Sequence, residues 1–292
     1  MNRIKGILYA AVSSSTFGLA PFFSITLLLA GFSAFEVLSY RWGVASIVLI
    51  VFGWLSGCNF RLAGKDWGVV FLLSLLRAVT SFSLIIAYQN IASGVASTIH
   101  FMYPLAVALV MMFFFREKKS LLVILAVLMS LLGAALLSLG ELEAKSGNTM
   151  VGLVAACVSV FSYAGYIVGV RTTRAVQINS TALTCYVMGL GTIFYLIGAY
   201  CTSGLQLVSD GYTWLIILGL ALPATAISNI TLVQAIKYAG PTLTSILGAM
   251  EPLTAVVIGV FVFKELFTVN SAVGIILILL AVSIVVFRRQ KS

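Results

Sequence analysis

The sequence predicts an all-α integral membrane protein with ten transmembrane helices, built as two inverted five-helix repeats. Composition is the first reason: 61% of the 292 residues are hydrophobic, 9% are charged, and the mean hydropathy is +1.15. Soluble domains carry about 25% charged residues, so the composition excludes a soluble fold. The net charge of +9 lies in short loops between apolar stretches, which favours a role in membrane topology over nucleic-acid binding.

Ten apolar stretches are long enough to cross a membrane. A helix needs about 20 apolar residues to span a hydrocarbon core of about 30 Å. The predicted spans cover residues 4–28, 34–56, 67–88, 93–115, 120–140, 150–170, 180–201, 212–235, 242–263 and 269–287. The loops between them are too short to form a separate domain.

The basic residues support this count, because lysine and arginine collect in cytoplasmic loops. With the N-terminus inside, only Lys145 and Lys264 of the 17 basic residues fall in outer loops. Arg41 and Arg77 fall within spans. Both termini are therefore predicted to be cytoplasmic. The cytoplasmic set comprises Arg3, Lys5, Arg61, Lys65, Arg116, Lys118, Lys119, Arg171, Arg174, Lys237, Arg288, Arg289 and Lys291.

A repeated stretch divides the chain into halves, predicted as 1–145 and 146–292. Residues 97–117, STIHFMYPLAVALVMMFFFRE, match residues 245–265, SILGAMEPLTAVVIGVFVFKE, at a fixed offset. Each copy is an apolar helix with one interior proline, Pro104 or Pro252. A proline removes a helical hydrogen bond, so both helices are expected to bend there.

An odd number of spans in each half means that the second half enters the membrane from the opposite side. Inverted repeats of this kind occur in secondary transporters, whose binding sites lie at interrupted helices near the bilayer midplane. Pro104 and Pro252 are therefore predicted gating positions.

These features resemble the drug/metabolite transporter superfamily and, within it, the EamA family of ten-span carriers. The resemblance covers nearly the full length. It rests on Tyr40-Arg41-Trp42-Gly43 in the second span, on the two central prolines, and on the turns Arg116-Glu117 and Lys264-Glu265. It implies export of a small metabolite, often an amino acid, by alternating access without ATP across a bacterial cytoplasmic membrane.

The chain departs from the family pattern in two respects. The glycine usual before each glutamate is Arg116 in one half and Lys264 in the other, and the counterpart of Arg41 is Val187. This divergence is expected if the cavity binds an asymmetric solute.

Arg77 and Glu251 are predicted to lie near mid-membrane. A charge there costs at least about 2.5 kcal/mol, so such residues usually face a cavity or a partner. Glu251 precedes the repeated proline, where the first half has Tyr103. Its carboxylate would bind an ammonium group or take up a proton; the alternative is a structural ion pair with Arg77.

Arg41 and His100 are predicted about 10 Å from the outer face. Arg41 would bind solute, or it would bond loop carbonyls or pair with Glu36. His100 would hydrogen-bond solute or pack between helices, and alone it makes no metal site. The presence of buried charges of both signs favours a zwitterionic solute such as an amino acid.

Tyr103 is the aromatic residue predicted to contact solute, because it stands at the repeated break. Other aromatic residues are usually packing or interfacial in membrane proteins, and here they include Trp42, Tyr88, Tyr163, Tyr166 and Tyr186. Polar residues in the spans that would line a pathway are Gln89, Asn229 and Gln234.

Other classes of function have less support. The only aspartates, Asp66 and Asp210, fall in loops, and the chain lacks HExxH, GxSxG and phosphate-loop motifs, which argues against an enzyme or an ATP-driven pump. The four scattered cysteines predict neither a metal site nor a disulfide, and no cofactor is expected. Three alternatives stay open: a channel, a scaffold, and an uptake carrier or exchanger for another metabolite or a drug-like amine. The expected partners are a small solute and the bilayer, with protons as a candidate coupling ion; oligomeric state is left open.

Overall fold

The computed structural model describes residues 2–91, 93–117, 121–138, 147–202, 204–261 and 268–288, and within these ranges it is helical without strands. Seven helices in this part are long and apolar enough to cross a membrane. They cover Ile4–Leu29, Ala34–Leu55, Gly64–Asn90, Val95–Phe113, Thr149–Thr172, Ser180–Thr202 and Gly211–Ala239. The all-α membrane fold is thus confirmed. The count of ten stays a prediction, since the apolar helices at Leu121–Gly133 and Ala272–Ile284 are shorter.

The helices are numbered in chain order. Short 3₁₀ turns at Gly64–Asp66 and Arg174–Gln177 and a π-helical segment at Leu222–Ile227 connect some of them. The helices are α1 (Asn2–Phe17), α2 (Ala20–Leu29), α3 (Ala34–Leu55), α4 (Trp67–Asn90), α5 (Ser93–His100), α6 (Tyr103–Phe113), α7 (Leu121–Ser138), α8 (Thr149–Thr172), α9 (Ser180–Thr202), α10 (Gly211–Ala221), α11 (Ser228–Ala239), α12 (Pro241–Leu247), α13 (Met250–Phe261) and α14 (Val269–Arg288).

Four predicted spans consist of two helices each. The first is interrupted between α1 and α2, the fourth between α5 and α6, and the ninth between α12 and α13. In the eighth span, the π-helical segment joins α10 to α11. Each interruption has a proline in or just after it, because proline fits the first turn of a helix and disrupts its interior. These residues are Pro21, Pro104, Pro223 and Pro252.

The helices pair in a pattern that is symmetric between the halves. α1 packs along α11, α4 along α8, α3 along α9, α7 along α14, and α6 against α12. Each pair joins one span of the first half to one span of the second half. By span number, the pairs are 1 with 8, 3 with 6, 2 with 7, 5 with 10, and 4 with 9. Moving every span five places along the chain reproduces the same set of pairs. This is the packing expected of two equivalent halves.

The turn after α6 shows why the family usually has glycine there. Arg116 has φ 53°, in the left-handed region that favours glycine. The next residue, Glu117, accepts a hydrogen bond from the Thr242 hydroxyl at the start of α12, with an O···O distance of 2.5 Å. This contact joins the fourth and ninth spans at their predicted cytoplasmic ends. Seven charged residues of the sequence argument lie outside the described residues: Lys118, Lys119, Lys145, Lys264, Glu265, Arg289 and Lys291.

Candidate functional site

Arg77 is the centre of a buried polar and aromatic cluster. The α4 helix places it in the interior, where it is 1% exposed. Its Nε donates to Asn229 Oδ1 at 3.1 Å and its Nη1 to Ser81 Oγ at 3.5 Å. Its guanidinium carbon lies 4.9 Å from the ring centroid of Tyr163 and 5.4 Å from that of Phe17. Neutral oxygens and aromatic faces therefore hold this positive charge.

Arg41 lies beside Arg77 and is held in the same way. It is 4% exposed, its Nε donates to Thr225 Oγ1 at 2.7 Å, and its Nη2 donates to the Ala224 carbonyl at 3.4 Å. Its guanidinium carbon lies 5.5 Å from the centroid of Phe17. The two arginines thus share one aromatic ring, which the end of α1 supplies.

The interrupted eighth span ties the two arginines together. A π-helical turn breaks the regular i→i−4 ladder and frees backbone groups for other partners. The Thr225 hydroxyl donates to the Leu220 carbonyl at 2.7 Å while it accepts from Arg41. One turn later, the Asn229 amide donates to the Thr225 carbonyl at 2.8 Å while its oxygen accepts from Arg77. Thr225 and Asn229, one helical turn apart, therefore hold the two guanidinium groups.

The expected alternative for Arg41, a pair with Glu36, is wrong. Glu36 closes a capping box at the start of α3, where its Oε2 accepts from the Ser33 amide at 2.8 Å. Its Oε1 accepts from the Gln206 amide at 2.6 Å. Both oxygens therefore bind backbone donors at the predicted outer end of the helix, and Arg41 bonds to the eighth span instead of to a loop.

Glu251 stands in the first turn of α13, directly after the interruption of the ninth span. Its carboxylate attracts both Arg77 and Arg41 electrostatically. Among the described residues, however, no ion pair within 4.0 Å joins it to either arginine. The direct ion pair with Arg77 that the sequence offered as an alternative is therefore not formed in this conformation. The carboxylate of Glu251 and the two guanidinium groups therefore attract each other without forming an ion pair in contact.

Two glycines bring three interrupted spans together. A β-carbon on Gly18, between α1 and α2, would lie 2.6 Å from the Glu251 carbonyl oxygen. A β-carbon on Gly248, between α12 and α13, would lie 1.8 Å from the Tyr103 hydroxyl oxygen. Real β-carbons do not approach other atoms so closely, so both contacts require glycine. The interruptions of the first, fourth and ninth spans therefore meet beside the charged cluster.

His100 and its aromatic neighbours extend the cluster toward α8. The Ser159 hydroxyl donates to the Ala156 carbonyl at 2.6 Å, so it accepts from His100 Nδ1 at 2.8 Å. Nδ1 therefore carries a proton, and in a neutral ring Nε2 is then an acceptor. Within the described part of the chain, this Nε2 and the hydroxyl of Tyr166 are buried without a hydrogen-bond partner. The ring of Tyr163 lies between His100 and Arg77, with its centroid 5.4 Å from the imidazole.

Comparison with known proteins gives the family. The model of the EamA-like transporter family matches the chain twice, at residues 4–139 and 150–287. The chain belongs to the EamA-like transporter family. It is therefore a membrane transporter of the drug/metabolite transporter superfamily with a two-repeat architecture.

A solved structure agrees with this fold. That structure, titled "Crystal structure of protein", superposes with a TM-score of 0.81 at 18% sequence identity, over 100% of this chain and 99% of its own. At this identity, the likeness concerns the fold alone. The comparison with curated proteins gave no match.

Within this EamA-like transporter, five predicted solute-binding residues lie close together. Arg41, Arg77, His100, Tyr103 and Glu251 lie in or beside one cluster. Two of the other aromatic residues lie elsewhere. Trp42 packs its ring against Gly191, and the Tyr186 hydroxyl donates to the Phe60 carbonyl at 2.6 Å.

Sequence reasoning missed Phe17 and Thr225, and it ranked Asn229 and Tyr163 below the charged residues. Two further prolines in apolar stretches, Pro21 and Pro223, could have indicated these residues. They mark the helix interruptions near which Phe17 and Thr225 lie.

Proposed function

We propose that this chain is a secondary transporter that moves a small metabolite across the cytoplasmic membrane by alternating access, and that it exports an amino acid or a related zwitterion. The observation that carries the proposal is the convergence of two buried guanidinium groups and one carboxylate on the interrupted spans. Arg41 and Arg77 are held by neutral acceptors, and Glu251 attracts both without contact. Charges arranged in this way are available to a solute that carries both signs.

The chemistry of the cluster supports a zwitterion. A guanidinium group binds a carboxylate through paired N–H donors, whereas a carboxylate binds an ammonium group. An amino acid presents both groups on one carbon, so it would engage Arg77 and Glu251 across the gap between them. Glu251 is also the residue that we propose to carry a coupling proton, because a half-buried carboxylate in a membrane interior exchanges partners when a solute or proton arrives.

The packing of the halves supports alternating access. We propose that residues 1–145 and 146–292 form inverted repeats with both termini cytoplasmic, and the two family matches fall within these ranges. Symmetric helix pairing means that the halves would exchange conformations at little energetic cost. The prolines Pro104 and Pro252, the second and third residues of the helices that follow the interruptions, would let the flanking helices tilt independently.

Arg41 and Arg77 both line a small cavity. It offers about 10 Å³ to the centre of a water-sized particle, which is space for one water molecule. A solute of amino-acid size would fit in this cavity only if the helices around it separated. This requirement fits a carrier that closes around its solute better than an open pore.

Counterflow in proteoliposomes tests the proposal. Vesicles containing purified protein are loaded with one unlabelled amino acid, and uptake of the same labelled amino acid is followed for a panel, with and without a pH gradient. A carrier accelerates uptake when unlabelled solute is inside, and a channel does not. We expect trans-stimulation for at least one amino acid and its loss in Arg77→Gln and Glu251→Gln. The control is Arg61→Gln, which removes the same charge from an exposed loop.

Uptake without trans-stimulation would support a channel. No uptake of any panel member by well-folded protein would contradict the amino-acid assignment.

A further inference from the structure

A small cavity lies between the first three spans, beside Arg77. Its lining includes Phe17, Ser24, Arg41, Arg77, Ser81 and Tyr88. Under the predicted topology it extends from the level of Arg77 toward the outer face, because α2 and α4 both run outward there. With about 10 Å³ for a particle centre, it has space for one small particle.

The charge around this cavity is unbalanced. Each guanidinium group has five N–H donors. The protein acceptors of Arg41 are Thr225 Oγ1 and the Ala224 carbonyl, and those of Arg77 are Asn229 Oδ1 and Ser81 Oγ. All four acceptors are neutral, and within the described part of the chain further N–H groups of both arginines have no protein acceptor.

Glu251 does not neutralise the positive charges of Arg41 and Arg77 at this cavity. Its carboxylate attracts both arginines, but it is not part of the cavity lining, and one negative charge faces two positive ones. The described residues that line the cavity include no carboxylate, and besides the two arginines their one ionisable side chain is the phenol of Tyr88. A positive charge in a membrane interior needs a partner, and the described residues supply only part of one.

We propose that a small monovalent anion, a halide such as chloride, binds in this cavity between Arg41 and Arg77 when no solute is bound. The anion accepts hydrogen bonds from the remaining guanidinium N–H groups and offsets the second positive charge. Halide binding follows from the cavity and the two arginines alone. One consequence rests on the proposed function: a solute carboxylate that binds these arginines displaces the halide.

Direct binding of radioactive chloride to purified protein tests the inference. The protein in detergent is titrated with labelled chloride in a scintillation proximity assay, with sodium gluconate keeping the ionic strength constant. We expect saturable binding of one chloride per chain, displaced by bromide and not by gluconate. Arg41→Gln and Arg77→Gln should each weaken binding at least tenfold, and Arg61→Gln should leave it unchanged.

A second variant keeps the test valid if either arginine variant misfolds. Ser24→Leu retains both arginines and fills part of the cavity, so it should also weaken chloride binding. A chloride-dependent rise in melting temperature, present in the wild type and smaller in Ser24→Leu, gives an independent readout. Well-folded wild-type protein without saturable binding would overturn the inference, as would equal affinities in the wild type and both arginine variants.

Competition separates this inference from the proposed function. Chloride binding that a transported amino acid displaces supports both. Chloride binding that no amino acid affects supports the halide site and contradicts the proposed carboxylate contact. Amino-acid transport by protein that does not bind chloride contradicts the halide site alone.

Discussion

The hydroxyl oxygen of Tyr103 rests against the backbone of Gly248, where the interrupted fourth and ninth spans cross. A β-carbon at Gly248 would lie 1.8 Å from that oxygen and 3.0 Å from the ring carbon that carries it. The two residues belong to the repeated segments, and each lies within a few residues of the repeated proline. The contact therefore joins the two halves of the chain at their repeated segments.

Gly248→Ala should separate the two interrupted spans. Overpacking a buried contact costs about 1–3 kcal/mol, so we expect a lower melting temperature and slower counterflow. The matched control is Gly189→Ala in α9, where a β-carbon would meet no atom within 4 Å. Adding Tyr103→Phe to Gly248→Ala removes the oxygen that clashes and should restore part of the loss. Equal behaviour of Gly248→Ala and Gly189→Ala would show that the contact does not constrain the protein.

The Glu117–Thr242 hydrogen bond should hold the fourth and ninth spans together at their predicted cytoplasmic ends. A hydrogen bond to a charged group contributes about 1.5–3 kcal/mol. Thr242→Val keeps the side-chain shape and removes the donor, so we expect a loss of stability in this range. In a double-mutant cycle with Glu117→Gln, measured by chemical denaturation in detergent, the losses should be less than additive. Strictly additive losses would show that the two side chains do not interact.

Arg116→Gly should stabilise the protein by about 1 kcal/mol, because a residue with a β-carbon is strained in the left-handed region. The structure gives Arg116 a φ of 53°. Arg116→Ala is the control, since it removes the charge and keeps the strain. Melting temperatures that rise in the glycine variant and not in the alanine variant would confirm the strain. A rise of equal size in both would assign the effect to charge.

Ser159→Ala should destabilise the protein by about 1–3 kcal/mol, because it leaves a buried imidazole N–H without an acceptor. Ser283→Ala is the control: at an exposed position, its hydroxyl donates to the Leu279 carbonyl of its own helix. A change at that kind of position is usually within about 0.5 kcal/mol. In a His100→Leu background, Ser159→Ala should lose most of its effect. A loss that persists there would show that Ser159 does not act through His100.

Much of the fold follows from the hydrophobic pattern. The predicted span at residues 34–56 corresponds to Ala34–Leu55, and that at 180–201 to Ser180–Thr202, because length and apolarity fix where a helix crosses a membrane. The interruptions at Pro21 and Pro223 were not predicted. A proline in an apolar run indicates a break, but the repeat drew attention only to Pro104 and Pro252.

The site was harder to predict than the fold, since its contacts join distant parts of the chain. Local spacing suggested Glu36 as a partner for Arg41, five residues away. The observed partner, Thr225, lies 184 residues further along. Phe17 carries no charge or motif that would single it out, and only the packing of α1 against the eighth span brings its ring beside both arginines.

The central claim is that Arg77 and Glu251 bind the two charged groups of one solute, and its most direct test uses three related ligands. These are a transported amino acid, the amine that lacks its carboxylate, and the carboxylic acid that lacks its ammonium group. Their affinities are measured by thermal-stability titration for the wild type, Arg77→Gln, Glu251→Gln and the Arg61→Gln control.

We predict that the wild type and Arg61→Gln prefer the whole amino acid over both analogues by about 10–100-fold, the effect of one charged hydrogen bond. Arg77→Gln should bind the amine as well as the amino acid, and Glu251→Gln should bind the carboxylic acid as well as the amino acid. An unchanged preference in both variants would contradict the claim.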